Sequence, residues 1–515
     1  MLEITVNTNG ETKEIQNFWN HIHFHPTDAI EDLWGQQILD EVIRDKTARM
    51  VRIYAMLEDI VSVREDGSLC YDYTEADRRM DYLVAGGLRL LVCFCFMPAC
   101  IAKEPGRRSS MPRYKGKSIC FSEPADYRKW QEICADFTRH VLKRYGKETA
   151  QSWYFHCWNE PDHIFWLNDS DIYTYDPVKA EAYCKLYDYF AAGVESVEPG
   201  IRIGGPSAAG NDGFLEAFAA HCEGGTNHVT GRRGSRLDFI TMHLYSNCDY
   251  GYWNEKEICV ENLFRRARLI HQIFARHGFG KTEFVIDEWG ATASGFQNME
   301  EAPANRLRET EFFPAFYAKL IERGLQEQKK GELFFQHMLI CLSGQHDLKK
   351  NFDGYRGFFT RDHYRKPIYN GFLLASKLGG EQLKVKFSHR HDAAGAVATR
   401  NGEDYAVMVY YTDEALNSKL PDQKIRFQLR GLAGNYRVRH YRIDHQHSNS
   451  YTTFLELGSP DPASQAQQEQ IRQAGRLCLL YPEEKICLSE GYSEEFVMPP
   501  HSVSLIELVK LGEGE

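Results

Sequence analysis

The sequence predicts an α/β fold of eight strands alternating with helices, followed by an all-β region. Three observations carry this. Between residues 18 and 340, short runs rich in β-branched and aromatic residues alternate with helical patterns, as in parallel sheets joined by crossover helices. Eight such runs can be counted, the number that closes a (β/α)8 TIM barrel. After about residue 380 strand follows strand with no helix between them, as in a β-sandwich.

The candidate strands are Phe18–His25, Ala48–Ala55, Leu88–Met97, Trp153–Asn159, Ile201–Gly205, Leu237–Tyr245, Glu283–Trp289 and Leu333–Ile340. Helix ends between them are marked by capping residues. Ser122 and Pro124 predict a start, Trp130, Ile133, Phe137 and Val141 share one face, and Gly146 is placed to end that helix. Asp176 predicts the next N-cap with Pro177 behind it, Tyr183, Leu186, Phe190 and Val194 form the stripe, and Pro199-Gly200 stops it. Gly86-Gly87 and Gly278 close others.

In the all-β region the expected strands are Ala396–Arg400, Tyr405–Tyr411, Ile425–Leu429, Tyr436–Ile443 and Val503–Val509. Glu3–Val6, turned by Asn9-Gly10 toward Lys13–Ile15, has the same character and is assigned to that sheet. The expected division is a catalytic barrel over 16–375 and an accessory β-sandwich built from 1–15 together with 376–515.

Composition narrows the ligand. A formal charge of −11 argues against nucleic acid, whose phosphates need clustered Lys and Arg. Aromatic residues make up 13% of the chain, and flat rings with a polar edge suit sugar faces. Met1 to Gly10 lacks the basic and apolar regions of a signal peptide, and Leu88 to Met97 is too short to span a bilayer, so no membrane role is expected. The 14 cysteines lack paired CxxC spacing and several lie in apolar runs, which predicts reduced thiols in a cytoplasmic protein.

Two strands end in glutamates. Trp153 to Cys157 runs into Trp158-Asn159-Glu160-Pro161, where the proline stops the ladder and the Glu160 side chain emerges at the strand's C-terminal end, the active face of a barrel. Glu283 to Asp287 leads into Glu288 in the same way. Glycoside cleavage needs such a pair: one carboxyl protonates the departing oxygen while the other attacks the anomeric carbon. Asp162 lies past its turn, and Asp287 alternates to the other side of its strand. His243 and Tyr245 share one side of the sixth strand, where they can bond sugar hydroxyls or the nucleophile. His21, His23 and His25 alternate on the first strand, a pattern that also opens metal-dependent hydrolases.

At these residues the chain resembles glycoside hydrolase family 39, which holds β-xylosidases and α-L-iduronidases. The resemblance runs through Phe96-Met97-Pro98, Trp158 to Pro161, Ile203 to Pro206, His243 to Tyr245, Glu288, Phe352 to Phe358 and Lys366 to Tyr369. The stretch Tyr441 to Asn449, followed by Gly458 to Pro460, is similar to the xylosidase branch. The resemblance implies acid/base work for Glu160, nucleophilic attack by Glu288, and sugar contacts from Asn159, His243 and Tyr245, to which Tyr54 and Trp289 are added. Tyr54 stands where the family usually offers a histidine, and the eighth strand reads Phe334 to Met338 with His346-Asp347 downstream, where the family usually has a Trp and acidic residues.

The expected function is a retaining exo-glycosidase acting on a small oligosaccharide or glycoside, β-D-xylosidase first among substrates, with no cofactor and no metal. The alternatives are an α-L-arabinofuranosidase, β-galactosidase or β-glucosidase, a barrel that binds sugar without cleaving it, and a metallohydrolase built on the three histidines. A homo-oligomer is compatible with all of them.

Overall fold

In the computed structural model the eight apolar runs form eight parallel strands: β1 (His21–Phe24), β2 (Met50–Tyr54), β3 (Arg89–Phe94), β4 (Tyr154–Cys157), β5 (Arg202–Ala208), β6 (Phe239–Tyr245), β7 (Glu283–Gly290) and β8 (Phe335–Leu342). They pair in chain order and close on themselves into a barrel. The structure describes all residues except 25–29, 31, 109–118, 171, 250–251, 254–257, 296, 331–334, 343–348 and 513–515, together with all side chains of the rest but 248, 249, 252, 253 and 335. His25, Phe334, His346 and Asp347 therefore lie outside the described residues.

The barrel interior is layered by strand alternation. Met50, Leu91, Tyr154, Phe239, Val285 and Leu339, all fully buried, make one apolar cluster from six strands. Two residues further along those strands, on the same face, stand Arg52, Cys93, His156, Thr241, Asp287 and Cys341. The interior thus turns from apolar to polar toward the C-terminal ends, and the polar layer is the floor of the site.

Among the described residues eight helices of ten or more residues pack outside: α1 (Leu33–Arg44), α2 (Thr74–Ala85), α3 (Tyr127–Tyr145), α4 (Pro177–Glu195), α5 (Asp212–Gly224), α6 (Val260–Arg276), α7 (Phe312–Lys330) and α8 (Pro367–Ser376). The start of α3 differs from the sequence expectation. Asp126, not Ser122, accepts a hydrogen bond from the Arg128 backbone N–H and caps it. Pro124 is taken into a bridge with Ala102, which holds that stretch extended. α4 begins as expected, with the Asp176 carboxylate accepting from the backbone N–H groups of Val178 and Lys179.

Two sheets stack beside the barrel. One orders Val385–Phe387, Leu2–Asn7, Gln423–Arg430 and Gly491–Met498; the other is eight-stranded and carries Ala394–Asn401, Asp404–Tyr411, Ser502–Lys510 and Gly434–Ile443 at its centre. The N-terminal turn does not make a hairpin within one sheet. Leu2–Asn7 runs parallel to Gln423–Arg430, whereas Thr12–Glu14 joins the other sheet against Glu381–Leu383. Two helices, Ser450–Glu456 and Gln465–Ala474, also interrupt the strands, the second started by a capping box between Ser464 and Gln467. The sheets are tied to α7 through Tyr410 hydroxyl to Glu322 and Lys319 to Glu414, while Glu414 also accepts from the Val260 backbone N–H at 2.6 Å. Among the described residues no helix is long and apolar enough to cross a membrane.

Removing the α4 cap by Asp176→Ala is expected to lower the unfolding free energy by about 1 kcal/mol in urea titrations while leaving hydrolytic rates unchanged. A loss near zero would mean that the cap does not hold α4.

Candidate active site

Glu160 reaches the barrel mouth through a strained turn. Trp158 and Glu160, neither of them glycine, both take left-handed backbone angles of φ +63° and +48°. The turn is pinned on both sides: the Trp158 N–H donates to Phe94 O at 3.1 Å and the Glu160 N–H to Ser207 O at 2.9 Å. The Trp158 indole, fully buried, sits edge-on to Trp166. Asp162, beyond the turn, accepts the backbone N–H groups of Ala209, Gly210 and Asn211 at 2.7 to 2.8 Å and so locks the loop after β5 beneath Glu160.

Glu288 arrives by a different device. Met242 pairs with Ile286 but His243 pairs with Glu288, so Asp287 is an extra residue in β7, a β-bulge. Counted from the interior Val285, strand alternation alone would point Asp287 inward and send Glu288 outward. The bulge instead turns both carboxylates into the barrel: Asp287 Oδ2 lies 3.2 Å from Arg52 Nε and accepts the Ser207 hydroxyl at 2.6 Å, while Glu288 faces the mouth beside His243.

Arg52, fully buried, is the hub of the floor. Nη1 donates to His23 Nε2 at 3.0 Å and Tyr54 Oη at 3.3 Å; Nη2 donates to Asn159 Oδ1 at 2.7 Å and Ser207 Oγ at 3.0 Å. Nε faces His156 Nε2 at 3.1 Å and the Asp287 carboxylate. Because Arg52 donates to Nε2 of His23, the ring proton of neutral His23 sits on Nδ1, which faces Glu288 Oε2 at 3.2 Å. Burial and the Arg52 charge lower the His23 pKa to about 4, so it is a neutral donor at ordinary pH.

Glu288 stays ionised. Burial alone would raise its pKa, but the His243 charge, the hydrogen bond from His23 and the Arg356 guanidinium hold it well below the usual carboxylate range. The Tyr245 hydroxyl donates to Glu288 Oε1. Burial works against charge on His243 too, yet Glu288, Asp287 and hydrogen bonds to Asp287 and Glu160 raise its pKa well above the ordinary value. The charged ring donates from Nδ1 to Glu160 Oε1 at 2.8 Å and stands 3.7 Å from Glu288 Oε2. One oxygen from each glutamate and a His243 nitrogen all lie within 4.8 Å of one another.

The structure therefore brings together Glu160, Glu288, Asn159, His243, Tyr245 and Tyr54. Tyr54 donates to Asn159 Oδ1 at 3.1 Å; with that oxygen engaged, the Asn159 amide NH2 is the group left for a ligand. Trp289, assigned to the sugar by sequence, lies elsewhere: it stacks on Tyr317 and meets Phe313 edge-on, between β7 and α7. The bulge explains this, since it turns Glu288 inward and its neighbour outward. His21 is bonded to His337 in the barrel interior at 3.1 Å, whereas His23 faces Glu288, so these two histidines do not share a ligand site.

Sequence reasoning missed Asp287, Ser207, Cys341 and Arg356 as members of the site. Arg356 donates to Cys341 Sγ at 2.9 Å and Ala293 O at 2.6 Å, lies 4.7 Å from the Tyr245 ring centroid, and places Nη1 3.6 Å from Glu288 Oε1. Burial pushes the Cys341 thiol up to about 12, so it is neutral beside that cation. His23, Glu288 and Cys341 also present ligand atoms within 4.8 Å, but the guanidinium groups of Arg52 and Arg356 flank Glu288 at 3.5 and 3.6 Å and already supply the positive charge a metal ion would bring. The signal that could have exposed this floor was Arg52 itself, a charge inside an apolar strand that demands a buried counter-charge.

An eight-stranded barrel whose strands four and seven deliver two facing glutamates, one held ionised, defines a glycoside hydrolase. The chain belongs to glycosyl hydrolases family 39, whose model matches residues 2–478. It is 24% identical over 488 residues to a β-xylosidase of Caldicellulosiruptor saccharolyticus, covering 93% of this chain and 92% of that protein. It is 27% identical over 273 residues to the α-L-iduronidase of Canis lupus familiaris, covering 49% and 37%. The structure of a monomeric β-xylosidase from Caulobacter crescentus CB15 superposes with a TM-score of 0.81 at 21% identity, covering 99% of this chain and 100% of that one.

The His243 charge is the largest favourable influence on ionised Glu288. A carboxylate nucleophile loses activity as pH falls through its folded-state pKa, and removing the cation raises that pKa. His243→Asn is thus expected to move the acidic limb of the kcat/KM profile to higher pH. An unmoved limb would contradict the electrostatic role.

Proposed function

We propose that the protein is a retaining exo-glycosidase, with a β-D-xyloside as its first substrate, working through a covalent glycosyl-enzyme intermediate. The observation that carries this is the carboxylate separation: oxygens of Glu160 and Glu288 approach within 4.8 Å. Retaining enzymes hold the pair about 5–5.5 Å apart, whereas inverting enzymes leave about 6.5–9.5 Å for a water molecule. A Glu288 oxygen attacks the anomeric carbon as the glycosidic bond breaks, and the Glu160 proton passes to the departing oxygen. Water then attacks the same carbon, gives its proton to Glu160, and the bond to Glu288 breaks. In this reading His243 orients the Glu160 carboxyl through its hydrogen bond to Oε1, and the Asn159 amide meets a sugar hydroxyl.

Support for the substrate comes from the β-xylosidase relative that matches along nearly its whole length. Arg356 favours a second reading, a sugar carrying a carboxylate, because its buried Nε has no hydrogen-bond partner among the described residues and its guanidinium flanks the nucleophile. A panel of nitrophenyl glycosides, including xyloside, arabinofuranoside, galactoside, glucoside and glucuronide, ranks these by kcat/KM. The xyloside is expected to lead; a leading glucuronide favours the second reading, and no release from any sugar by folded protein contradicts both.

Glu288→Ala should abolish turnover for every leaving group. Glu160→Ala should cost about 10²–10⁴-fold with poor leaving groups, spare the first step with good ones, and recover with azide. Equal losses on good and poor leaving groups would remove Glu160 from the acid role.

A further inference from the structure

On the outer wall of the barrel, between α4 and α5, lies a cluster of side chains that sugar cleavage does not use. Asp188 of α4 is completely buried. Its carboxylate faces His221 Nε2 of α5 at 3.0 and 3.1 Å, accepts the His228 backbone N–H at 2.8 Å, and accepts the Ser235 hydroxyl. The His221 and His228 rings lie nearly parallel, with centroids 5.8 Å apart. One donor atom each from Asp188, His221 and His228 falls within 4.8 Å of the other two. Glu181, two turns before Asp188 on α4, adds a second carboxylate with Oε1 3.2 Å from His228 Nε2. The cluster opens on a surface cavity of about 870 Å³ whose lining includes Glu181, His221, Glu223 and His228.

We propose that Asp188, His221 and His228 bind one divalent transition-metal ion, with zinc as the best match, and that the exposed Glu181 carboxylate swings in beside His228 as the fourth ligand. Two imidazoles and two carboxylates make a four-ligand nitrogen and oxygen set, which suits tetrahedral zinc and not magnesium or calcium, ions that prefer oxygen alone. Among the described residues the cationic group at ion-pair distance from Asp188 is the His221 ring, and only if that ring is protonated. A metal ion replaces that proton and answers the buried charge. The hydrogen bonds from Ser235 and the His228 backbone already orient the Asp188 carboxylate, as supporting contacts do around metal ligands. The exposed side of the cluster, at Glu181 and the cavity, is the way in. Bound there, the ion ties α4, α5 and the loop carrying His228 together, so it stabilises the folded chain by mass action.

The test uses tag-free, full-length protein stripped with chelator and titrated with zinc sulfate, calcium and magnesium by calorimetry, with melting followed in parallel. One zinc per chain is expected, with no uptake of calcium or magnesium and a melting temperature that rises with zinc. His228→Ala and Glu181→Ala remove ligands while keeping the His228 backbone N–H that anchors Asp188, so both should melt like the metal-free parent and lose zinc affinity by about tenfold or more. No zinc uptake by the parent overturns the proposal. So does uptake that both variants retain at full strength, which would place the ion at the barrel mouth.

Discussion

A guanidinium sealed beneath the barrel mouth has to be answered on every side, and the site is built from those answers. Arg52 has five N–H groups. Its hydrogen-bonding and ion-pair partners include His23, Tyr54, Asn159, Ser207, His156, Asp287 and Glu288, drawn from strands one, two, four, five and seven and the turns that follow them. The residues that meet the ligand thus inherit their positions from a buried charge. Asn159 is oriented through its oxygen, His23 through its Nε2, and both then present their remaining hydrogens toward the mouth. Removing one partner would leave charge uncompensated in the interior, which is far more costly than losing an exposed pair.

The same charge separates the roles of three neighbouring carboxylates. Asp287 lies against Arg52 and His243 and is held ionised well below the usual carboxylate range despite its burial. It balances the floor and is kept from the mouth by Ser207. Glu288, one residue on, is poised by donors of moderate reach, so it is charged yet still faces the cavity. Glu160 sees His243 and the partly open side, with 16% of its side chain exposed. A bulge of one residue in β7 makes this division, because it alone lets adjacent acids point the same way.

Much of this architecture was legible in the chain because it follows short-range rules. Apolar runs bounded by Gly and Pro mark the eight barrel strands, Asp176-Pro177 marks a cap, and an acid at the end of an apolar strand marks a residue delivered to the mouth. What was not legible depends on pairing between distant segments. The bulge at Asp287 exists only once β7 is paired with β6 and β8, so alternation counted from an inward Glu288 turned Asp287 outward. Leu2–Asn7 and Thr12–Glu14 read as a hairpin until their true partners, more than 360 residues away, pull them into different sheets. Arg356 carried no local sign of function; its place beside Glu288 is set by tertiary packing between segments far apart in the chain.

The fate of the anomeric centre during the first turnover tests the pairing of Glu160 with Glu288 most directly. Proton NMR of a nitrophenyl xyloside reaction, read before mutarotation, should show the sugar released with the configuration of the substrate, since two carboxylates this close leave no room for a water molecule between nucleophile and ring. A first product of inverted configuration would contradict it, and with it the assignment of Glu288 as the attacking group.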